Sequence, residues 1–226
     1  MTLQHSSAYA TTAGVPARPQ APARPRLGAT TPVLRDLRDR AGRSPRSLIF
    51  AAGDVVVVSG LPGSGKSTLI RRAASGSRID SQDTRDRWAL RMPRFLPYAV
   101  YRPFVRYAHY AGLRRALRSG ESVVVHDCGT QAWVRRWLAR EAGRRGSALH
   151  LVLLDVPPQV ARQGQLERGR GVSGYAFARH RRATSRLIAD AESGRLPSGC
   201  TSAVLLDRSA AAGLARVQFT ATGAAG

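Results

Sequence analysis

The sequence predicts an α/β fold in which a mostly parallel sheet carries helices on both faces. Strand-like and helix-like segments alternate from Ser47 to a last predicted strand at 203–206, and such alternation is typical of parallel sheets. Two predicted strands contain uninterrupted valine runs, at 55–58 and 123–125, as expected of strands buried on both faces. A chain of 226 residues can hold one such domain and a tail.

The first 46 residues are predicted to form a tail outside the folded domain. Residues 1–30 are mainly alanine, threonine, proline and arginine, with almost no large apolar side chain. They cannot bury enough surface to offset the entropy of ordering, so we expect disorder there and a short helix at 31–42. The domain is expected to span 47–226, with flexible last residues.

The elements of the predicted domain follow from Ser47 onward. Strands are expected at 47–50, 55–59, 78–80, 122–126, 148–154 and 203–206. Helices are expected at 66–75, 82–91, 131–145, 158–167 and 175–193, the second of them with Ser81 as its N-cap. Residues 93–119 are expected to form a helical insert that Pro97 and Pro103 break.

A glycine-rich loop directly follows the second predicted strand and opens a helix. Residues 60–67 read GLPGSGKS, which fits the phosphate-binding pattern G-x-x-x-x-G-K-S/T in its required strand–loop–helix context. Glycines let backbone N–H groups turn inward around phosphates, and the helix N-terminus adds positive potential. We therefore expect the loop to bind a nucleoside triphosphate through Gly60, Leu61, Pro62, Gly63, Ser64, Gly65, Lys66, Ser67 and Thr68.

Three residues are expected to act on the phosphates and the metal. Lys66 would bridge the β- and γ-phosphates, and Ser67 would offer its hydroxyl to Mg²⁺. Lys66 is also the only lysine among 36 basic residues, which marks a place that needs a compact ammonium. Asp127 ends the apolar strand at 122–126 and is expected to hold the Mg²⁺ shell, the alternative being an aspartate that caps a loop. ATP and Mg²⁺ are thus the expected cofactors.

The chain is strongly basic, with a formal net charge of +22. Such a balance usually indicates nucleic acid, an anionic membrane or phosphorylated substrates. Because the excess is almost all arginine beside many alanines and glycines, it is also typical of compositional bias, so nucleic acid is discounted but left open. Two cysteines, no long apolar run and no secretory signal predict a reduced cytoplasmic protein without a membrane segment. The oligomeric state stays open.

Three features favour a kinase over a GTPase or a mechanical ATPase. The chain is short and has no second domain on which motion could act. A carboxylate cluster of Asp80, Asp83 and Asp86 follows the strand at 78–80, where it could face an acceptor hydroxyl. A Gly/Arg-rich loop at 167–174 lies between two late helices, where kinases keep a mobile lid that excludes water.

Together these segments resemble a known family. GLPGSGKSTL, SQD, VVVHD and LLDVPPQVARQGQLERGRG are similar to small P-loop kinases related to the polynucleotide 5′-kinase domain and to zeta toxins, often classed under an AAA-type ATP-binding domain. The resemblance covers about residues 55–206 and implies a P-loop NTPase fold. It makes Asp83 the general base, Asp127 the acidic strand end, and Arg168 and Arg170 the lid arginines that neutralise the transferring phosphoryl. Asp86 stands where the family usually has arginine, which argues against a polynucleotide acceptor.

The insert at 93–119 is rich in aromatic residues, and its role has alternatives. Aromatic side chains recur every three residues, with arginines between them: Phe95, Tyr98, Tyr101, Phe104, Tyr107 and Tyr110. A three-residue period drifts around a helix by about 60° per step. We expect Val100, Phe104, Tyr107 and Ala111 to face the core, with an acceptor pocket or base stacking as alternatives. Trp133 and Trp137 are likewise expected in the core, Pro103 in the first turn of a second helix.

The expected function is an ATP- and Mg²⁺-dependent kinase. It would transfer the γ-phosphoryl of ATP to a hydroxyl of an unidentified small-molecule or nucleotide acceptor. The alternative is a nucleotide-binding regulatory ATPase module whose basic tail engages nucleic acid or protein. Slow ATP hydrolysis without an acceptor is a third possibility.

Overall fold

A parallel six-stranded sheet forms the centre of the protein. The computed structural model of the chain describes residues 33–40, 43–74, 77–79, 81–93, 95–126, 131–169, 171–197 and 199–221. The strands are β1 Val33–Asp36, β2 Ser47–Ala51, β3 Val55–Gly60, β4 Ser77–Ile79, β5 Val123–His126, β6 Leu149–Leu154, β7 Ser202–Leu206 and β8 Arg216–Thr220. The helices are α1 Lys66–Ala73, α2 Ser81–Arg91, α3 Tyr98–Arg118, α4 Ala132–Arg144, α5 Pro158–Leu166, α6 Gly174–Glu192 and α7 Arg208–Gly213.

The strand order places β3 in the interior of the sheet. The order is β1-β7-β6-β3-β5-β4, and every neighbouring pair is parallel. Val58 of β3 lies opposite His126 of β5, and Gly60 lies opposite Leu154 of β6. The loop after β3 therefore emerges between the ends of two strands at the carboxyl edge, where open α/β sheets bind ligands. The predicted α/β class is confirmed.

Alternate residues of β3 face two separate hydrophobic cores. Val56 and Val58 pack with Leu69 of α1 on one face of the sheet. Val55 and Val57 pack on the other face, in the core that contains side chains of α3, α4 and α6. All four valines are buried, so the valine run marks a strand covered on both sides, as predicted.

The N-terminal part of the described chain contributes an edge strand. Val33–Asp36 pairs in parallel with β7, with Val33 opposite Ser202. The helix predicted at 31–42 is therefore wrong, and the folded domain begins before Ser47. The pattern failed because this strand is short and mostly exposed, so no apolar period identifies it. The disorder predicted for residues 1–30 lies outside the described residues.

A single arginine fastens β1 to two other elements. The Arg38 guanidinium contacts carboxylate oxygens of Asp36 at 2.6 Å, Asp155 at 2.7 Å and Glu192 at 2.7 Å. Asp155 follows β6 and Glu192 ends α6, so one side chain joins three parts of the fold. The hydrogen bond from Arg38 lowers the pKa of the Asp36 carboxyl below its ordinary value of 3.8. The three carboxylates, Asp36 foremost, raise the pKa of Arg38 in turn.

The chain after β7 forms two further elements, so the strand predicted at 203–206 is not the last. Asp207 caps α7, because its Oδ1 accepts the Ala210 N–H at 2.6 Å. β8 then pairs in parallel with β2 in a separate two-stranded sheet, with Phe50 opposite Phe219. These elements are too short to stand out as a period in the sequence.

Helix α3 is continuous from Tyr98 to Arg118, so the predicted break at Pro103 is wrong. Proline removes one hydrogen bond from a helix interior at a cost of about 3 kcal/mol. Here Tyr101 and Val105, on either side of Pro103, are both buried, and this packing offsets the cost. Pro97 holds the N-cap position. Neither α3 nor any other described helix is apolar over enough of its length to cross a membrane.

The face of α3 that was predicted to be buried points to solvent. Val100, Phe104 and Tyr107 are 56%, 60% and 77% exposed. Core positions are instead taken by Tyr101, Val105, Leu113 and Leu117. Apolar residues surround this helix, so their period does not fix which face turns inward. Trp133, also predicted in the core, is 48% exposed. Trp137 is partly buried and packs against the core that contains Val55 and Val57.

We expect Arg38→Gln to destabilise the protein by about 1–2 kcal/mol near neutral pH. Its three partners are partly exposed, and solvent screening leaves each pair less than about 1 kcal/mol. Because the folded-state pKa of Asp36 is lowered, its contribution is complete above pH 3.8 and is lost as the pH falls through that lowered pKa. Urea unfolding over a pH series should therefore show that the difference in the free energy of unfolding between wild type and variant becomes smaller in acid.

Arg35→Gln is the matched control, because Arg35 is an exposed arginine of β1, three residues before Arg38. It should leave the free energy of unfolding within about 0.5 kcal/mol of wild type. If the difference in the free energy of unfolding between wild type and Arg38→Gln stays constant into strong acid, the assigned ion pairs are contradicted.

Candidate nucleotide-binding site

The phosphate loop leaves β3 at Gly60 and enters α1 at Lys66. Gly63 and Gly65 have φ angles of 87° and 94°, a region that favours glycine. The Ser64 N–H donates to the Leu61 carbonyl at 3.0 Å and closes a tight turn. The first N–H groups of a helix have no intrahelical acceptor, so α1 directs a positive end toward the space above the loop.

The Lys66 side chain lies folded over this loop and is only 3% exposed. Its Nζ donates to the carbonyl oxygens of Gly60 at 2.8 Å and Leu61 at 2.6 Å. These two contacts hold the ammonium of the chain's single lysine against the backbone of the phosphate loop.

Helix α5 supports the loop from behind through a contact between two glycines. A Cβ atom on Gly63 would overlap the carbonyl oxygen of Ala161, and one on Gly164 would lie 2.6 Å from the Gly63 oxygen. Only glycine at both positions allows this approach. The motif leaves position 63 unspecified, although Gly63 was predicted to belong to the loop. The sequence analysis gave no reason to select Gly164, whose one signal is a glycine inside a predicted helix.

Buried Gln165 connects the phosphate loop to the Gly/Arg-rich loop. Its Nε2 donates to the Pro62 carbonyl at 3.1 Å, and its Oε1 accepts the Val172 N–H at 2.9 Å. The nitrogen and the oxygen of one side-chain amide thus bind two different loops. The sequence analysis did not select Gln165, because a glutamine in a predicted helix carries no distinctive signal.

A cavity of about 480 Å³ opens on one side of the phosphate loop. It is lined by Lys66 and Ser67 of α1, and by four further cationic or titratable side chains: Arg71, His126, Arg168 and His180. No carboxylate of the described residues lines it. This cavity therefore offers positive charge and a hydroxyl, a combination suited to phosphates.

A second, smaller cavity of about 240 Å³ lies on the other side of the same loop. Its walls include the aliphatic side chains of Leu69, Leu154, Val156 and Val160, with alanines of α7. Arg72 closes this region, because its Nη2 donates to the carbonyls of Ala211 at 2.5 Å and Leu214 at 3.1 Å. Exposed Arg168 lines both cavities and thus lies between them. The contribution of α7 was missed because that helix was not predicted.

The described part of the chain brings together only some of the predicted site residues. Arg168 lines both cavities together with residues of the phosphate loop. Asp83 lies in the first turn of α2, and its side chain lies outside what the structure describes. Asp80, Asp127 and Arg170 are themselves outside the described residues. Within those residues no group of three or more metal-ligating side chains is found, so the roles of Asp83, Asp127 and Arg170 stay predictions.

Comparison with known proteins identifies the family. A family model described as an AAA domain matches residues 55–192, more than half of the chain. The chain belongs to this AAA domain family. The match begins at β3 and ends with α6. It therefore contains the phosphate loop, helix α5, which lines both cavities, and the Gly/Arg-rich loop. It confirms the AAA-type resemblance seen in the sequence. No curated protein matches this chain in sequence.

Solved structures resemble this AAA domain protein at low identity. A gluconokinase from Sinorhizobium meliloti 1021 is 21% identical over 72% of this chain and 92% of its own, with a TM-score of 0.39. The Deinococcus radiodurans tunicamycin resistance protein is 17% identical over 57% and 78%, with a TM-score of 0.37. A chain of the Streptococcus pneumoniae PezAT toxin–antitoxin system is 17% identical over 58% and 56%, with a TM-score of 0.42. Similarities this low carry no argument about activity.

We expect Gly63→Ala to abolish binding of nucleoside triphosphates. The added Cβ would overlap the Ala161 carbonyl at a left-handed backbone position, so loop and α5 must separate, at a cost of about 2–4 kcal/mol in stability. Calorimetry with ATP and urea unfolding measure the two effects. Gly143→Ala in α4 is the control, because a Cβ there meets no atom within 4 Å. Unchanged ATP affinity in Gly63→Ala would contradict the proposed role of the contact.

Proposed function

We propose that the protein is an ATP- and Mg²⁺-dependent kinase that transfers the γ-phosphoryl group to a hydroxyl of a small-molecule or nucleotide acceptor. The observation that carries this proposal is buried Lys66 of the phosphate-loop motif, whose ammonium donates to the loop carbonyls of Gly60 and Leu61. It lies at the start of α1 beside a cavity with arginine and histidine but without a described carboxylate. Such a site favours a polyanion.

The two cavities suggest how ATP would lie across the loop. The cationic cavity would take the β- and γ-phosphates, with Lys66 exchanging its carbonyl partners for phosphate oxygens. The walls of the smaller cavity combine arginines, among them Arg208, with aliphatic side chains, and the aliphatic part would suit the faces of a purine. Gln163 and Glu167 also line it and could bind the polar edge of the base. The loop itself would then pass beneath the phosphates.

Two oxygen-bearing side chains, Ser67 and Asp127, would suit a magnesium ion as ligands. Ser67 follows Lys66 and its side chain lines the cationic cavity, and Asp127 is predicted one residue beyond the end of β5. A hydroxyl and a carboxylate are hard oxygen ligands, which Mg²⁺ prefers. Bound there, Mg²⁺ would neutralise charge on the phosphates. Ser67 would hold it from the loop side and Asp127 from the β5 side.

Transfer to an acceptor, rather than hydrolysis, is supported by the Gly/Arg-rich loop. Gln165 ties this loop to the phosphate loop, so the two can respond together to a ligand. Arg168 lies between both cavities, where a guanidinium can stabilise charge on a phosphoryl group in transfer. A loop closed over this space would exclude water, which competes with the acceptor.

In the proposed reaction, Asp83 accepts the proton of the acceptor hydroxyl. The acceptor oxygen forms a bond to the γ-phosphorus as the bond to the β–γ bridging oxygen breaks, and ADP leaves with that oxygen. Lys66 and Arg168 stay protonated and balance the charge that moves onto the phosphate oxygens. The placement of Asp83 after β4, next to β5 at the same carboxyl edge, supports this role.

We expect Lys66→Ala to weaken ATP binding about 10- to 100-fold. A charge-assisted contact in a buried position contributes roughly 1.5–3 kcal/mol, and the variant removes it. Lys66→Arg should also fail, because a planar guanidinium is larger than the space that holds the 3% exposed ammonium. Isothermal calorimetry with ATP provides the measurement. Wild-type affinity in either variant would refute the assignment of the loop.

The decisive experiment for the reaction is incubation with labelled ATP and a panel of metabolites, nucleosides and oligonucleotides. With any acceptor found, Asp83→Asn should lower turnover by about 10²–10⁴ while ATP affinity stays nearly unchanged. Asp127→Asn should instead give a defect that added Mg²⁺ partly relieves, because it weakens the metal shell. Asp80→Asn and Asp86→Asn are the controls for the neighbouring carboxylates.

The same set of variants distinguishes the kinase from a nucleotide sensor. A sensor needs the phosphate loop but no general base. If Asp80, Asp83 and Asp86 all tolerate substitution while ATP still binds, the kinase proposal is wrong. The regulatory ATPase alternative would then replace it.

A further inference from the structure

A groove of about 760 Å³ lies between α3 and α4, outside the site described above. It belongs to the face of the sheet opposite α1, since α3 and α4 pack in the other core. Its walls combine two residue types: the aromatic side chains of Tyr107, Tyr110, Trp133 and Trp137, and the guanidinium groups of Arg114, Arg115, Arg118 and Arg140.

The aromatic part of the groove is held in place by its own contacts. The Tyr110 ring lies 5.3 Å from that of Trp133 and 6.4 Å from that of Trp137. Its hydroxyl donates to Gln131 Oε1 at 2.6 Å. Tyr107 and Trp133 remain largely exposed, although both were predicted in the core. The chain thus presents two large aromatic faces to solvent on a fixed platform.

The basic part of the groove is uncompensated. All four arginines are exposed, and none of them forms an ion pair with a carboxylate of the described residues. Arg144, the next arginine along the exposed side of α4, is by contrast paired with Glu141 at 2.8 Å. Compositional bias would scatter arginines over the surface, but it does not explain why four of them border one aromatic groove.

The two parts follow one another along the groove. Helix α3 leads to the amino end of β5, and helix α4 leads from the carboxyl end of β5 to the amino end of β6. Both helices therefore end at the amino edge of the parallel sheet. The rings come first on both helices and the arginines follow. Tyr107 and Arg118 are separated by about 16 Å of helix, the length of several stacked bases at about 3.4 Å each.

We propose that this groove binds a single strand of nucleic acid, with bases stacked on Tyr107 and Trp133 and phosphates bound by the arginines. Aromatic platforms beside a positive track are the usual means of binding unpaired strands. The bases of a duplex are stacked on one another and present no free face to the rings. An acidic peptide would satisfy the arginines but would leave the aromatic faces exposed.

Other occupants from this protein are disfavoured by charge. A second copy of the chain carries the same net charge of +22 and would be repelled. The chain's own residues 1–32 contain three arginines and no aspartate or glutamate, so they cannot neutralise the groove. The proposal is independent of the proposed kinase activity and does not make the strand its acceptor.

Fluorescence anisotropy of the full-length protein with labelled oligo-dT of about 12 nucleotides tests the proposal. We expect Trp133→Ala to weaken binding roughly 5- to 150-fold, the range for loss of one stacked base. Trp133→Phe keeps a ring and should retain most of the affinity. The double variant Arg114→Gln/Arg118→Gln should lower the slope of log affinity against log salt by about 1.4, at about 0.7 per phosphate contact.

Matched controls lie outside the groove. Arg182→Gln/Arg186→Gln removes two exposed arginines from α6, and Phe95→Ala removes a ring that is 85% exposed. Each should reduce affinity less than its groove counterpart. If Trp133→Ala does not fold, Tyr107→Ala replaces it, because that side chain is 77% exposed.

Several outcomes would overturn the proposal. Equal losses in groove and control variants would indicate general attraction to a basic surface. A duplex of the same length, or a polyglutamate peptide, that binds as tightly as oligo-dT would assign the groove to another partner. Full affinity in the aromatic variants would exclude stacking on these rings.

Discussion

The contact between Gly63 and Gly164 is the constraint on which the candidate site depends. It brings the backbone of α5 against the phosphate loop so closely that neither position has room for a side chain. Because α5 is fixed there, Gln165 can reach the Pro62 carbonyl and the Val172 N–H together. The same approach places Arg168, two residues beyond the end of α5, between the two cavities. One close contact thus sets the position of the loop, the Gly/Arg-rich segment and the arginine between them.

Charge is distributed unevenly along the carboxyl edge of the sheet. Beyond β6, described carboxylates gather around Arg38, which binds Asp36, Asp155 and Glu192. On the β3 and β5 side, the cavity beside the phosphate loop has cationic walls and no described carboxylate. Asp36, Asp155 and Glu192 thus hold β1 to the sheet, and none of the three lines the cationic cavity. This separation lets a single edge serve both stability and ligand binding.

The sequence allowed the central fold and the phosphate loop to be predicted, because both leave strong local patterns. The valine runs of β3 and β5 and the strand–loop–helix motif at Lys66 need no tertiary information. Elements held by a few specific contacts could not be predicted: β1 depends on Arg38, and α7 depends on a cap at Asp207. The inward face of α3 was missed because apolar residues surround that helix, and only packing against the sheet selects Tyr101 over Phe104. Gln165 is invisible to sequence patterns, since its role comes from two loops that meet only in the folded chain.

Arginine and lysine make different contacts in this chain. Arg72 donates to two backbone carbonyls and Arg145 donates to three, a use that suits the forked guanidinium. Burial lowers the pKa of Arg145, yet arginine keeps its charge because its ordinary pKa is so high. Lys66 differs from these arginines, since its ammonium lies in a buried space beside the Gly60 and Leu61 carbonyls of the phosphate loop. In the proposed function this compact ammonium would exchange the carbonyls for phosphate oxygens, whereas a planar guanidinium would be too large for the space. Arg72 and Arg145, by contrast, serve the fold, because they connect separate segments of the backbone.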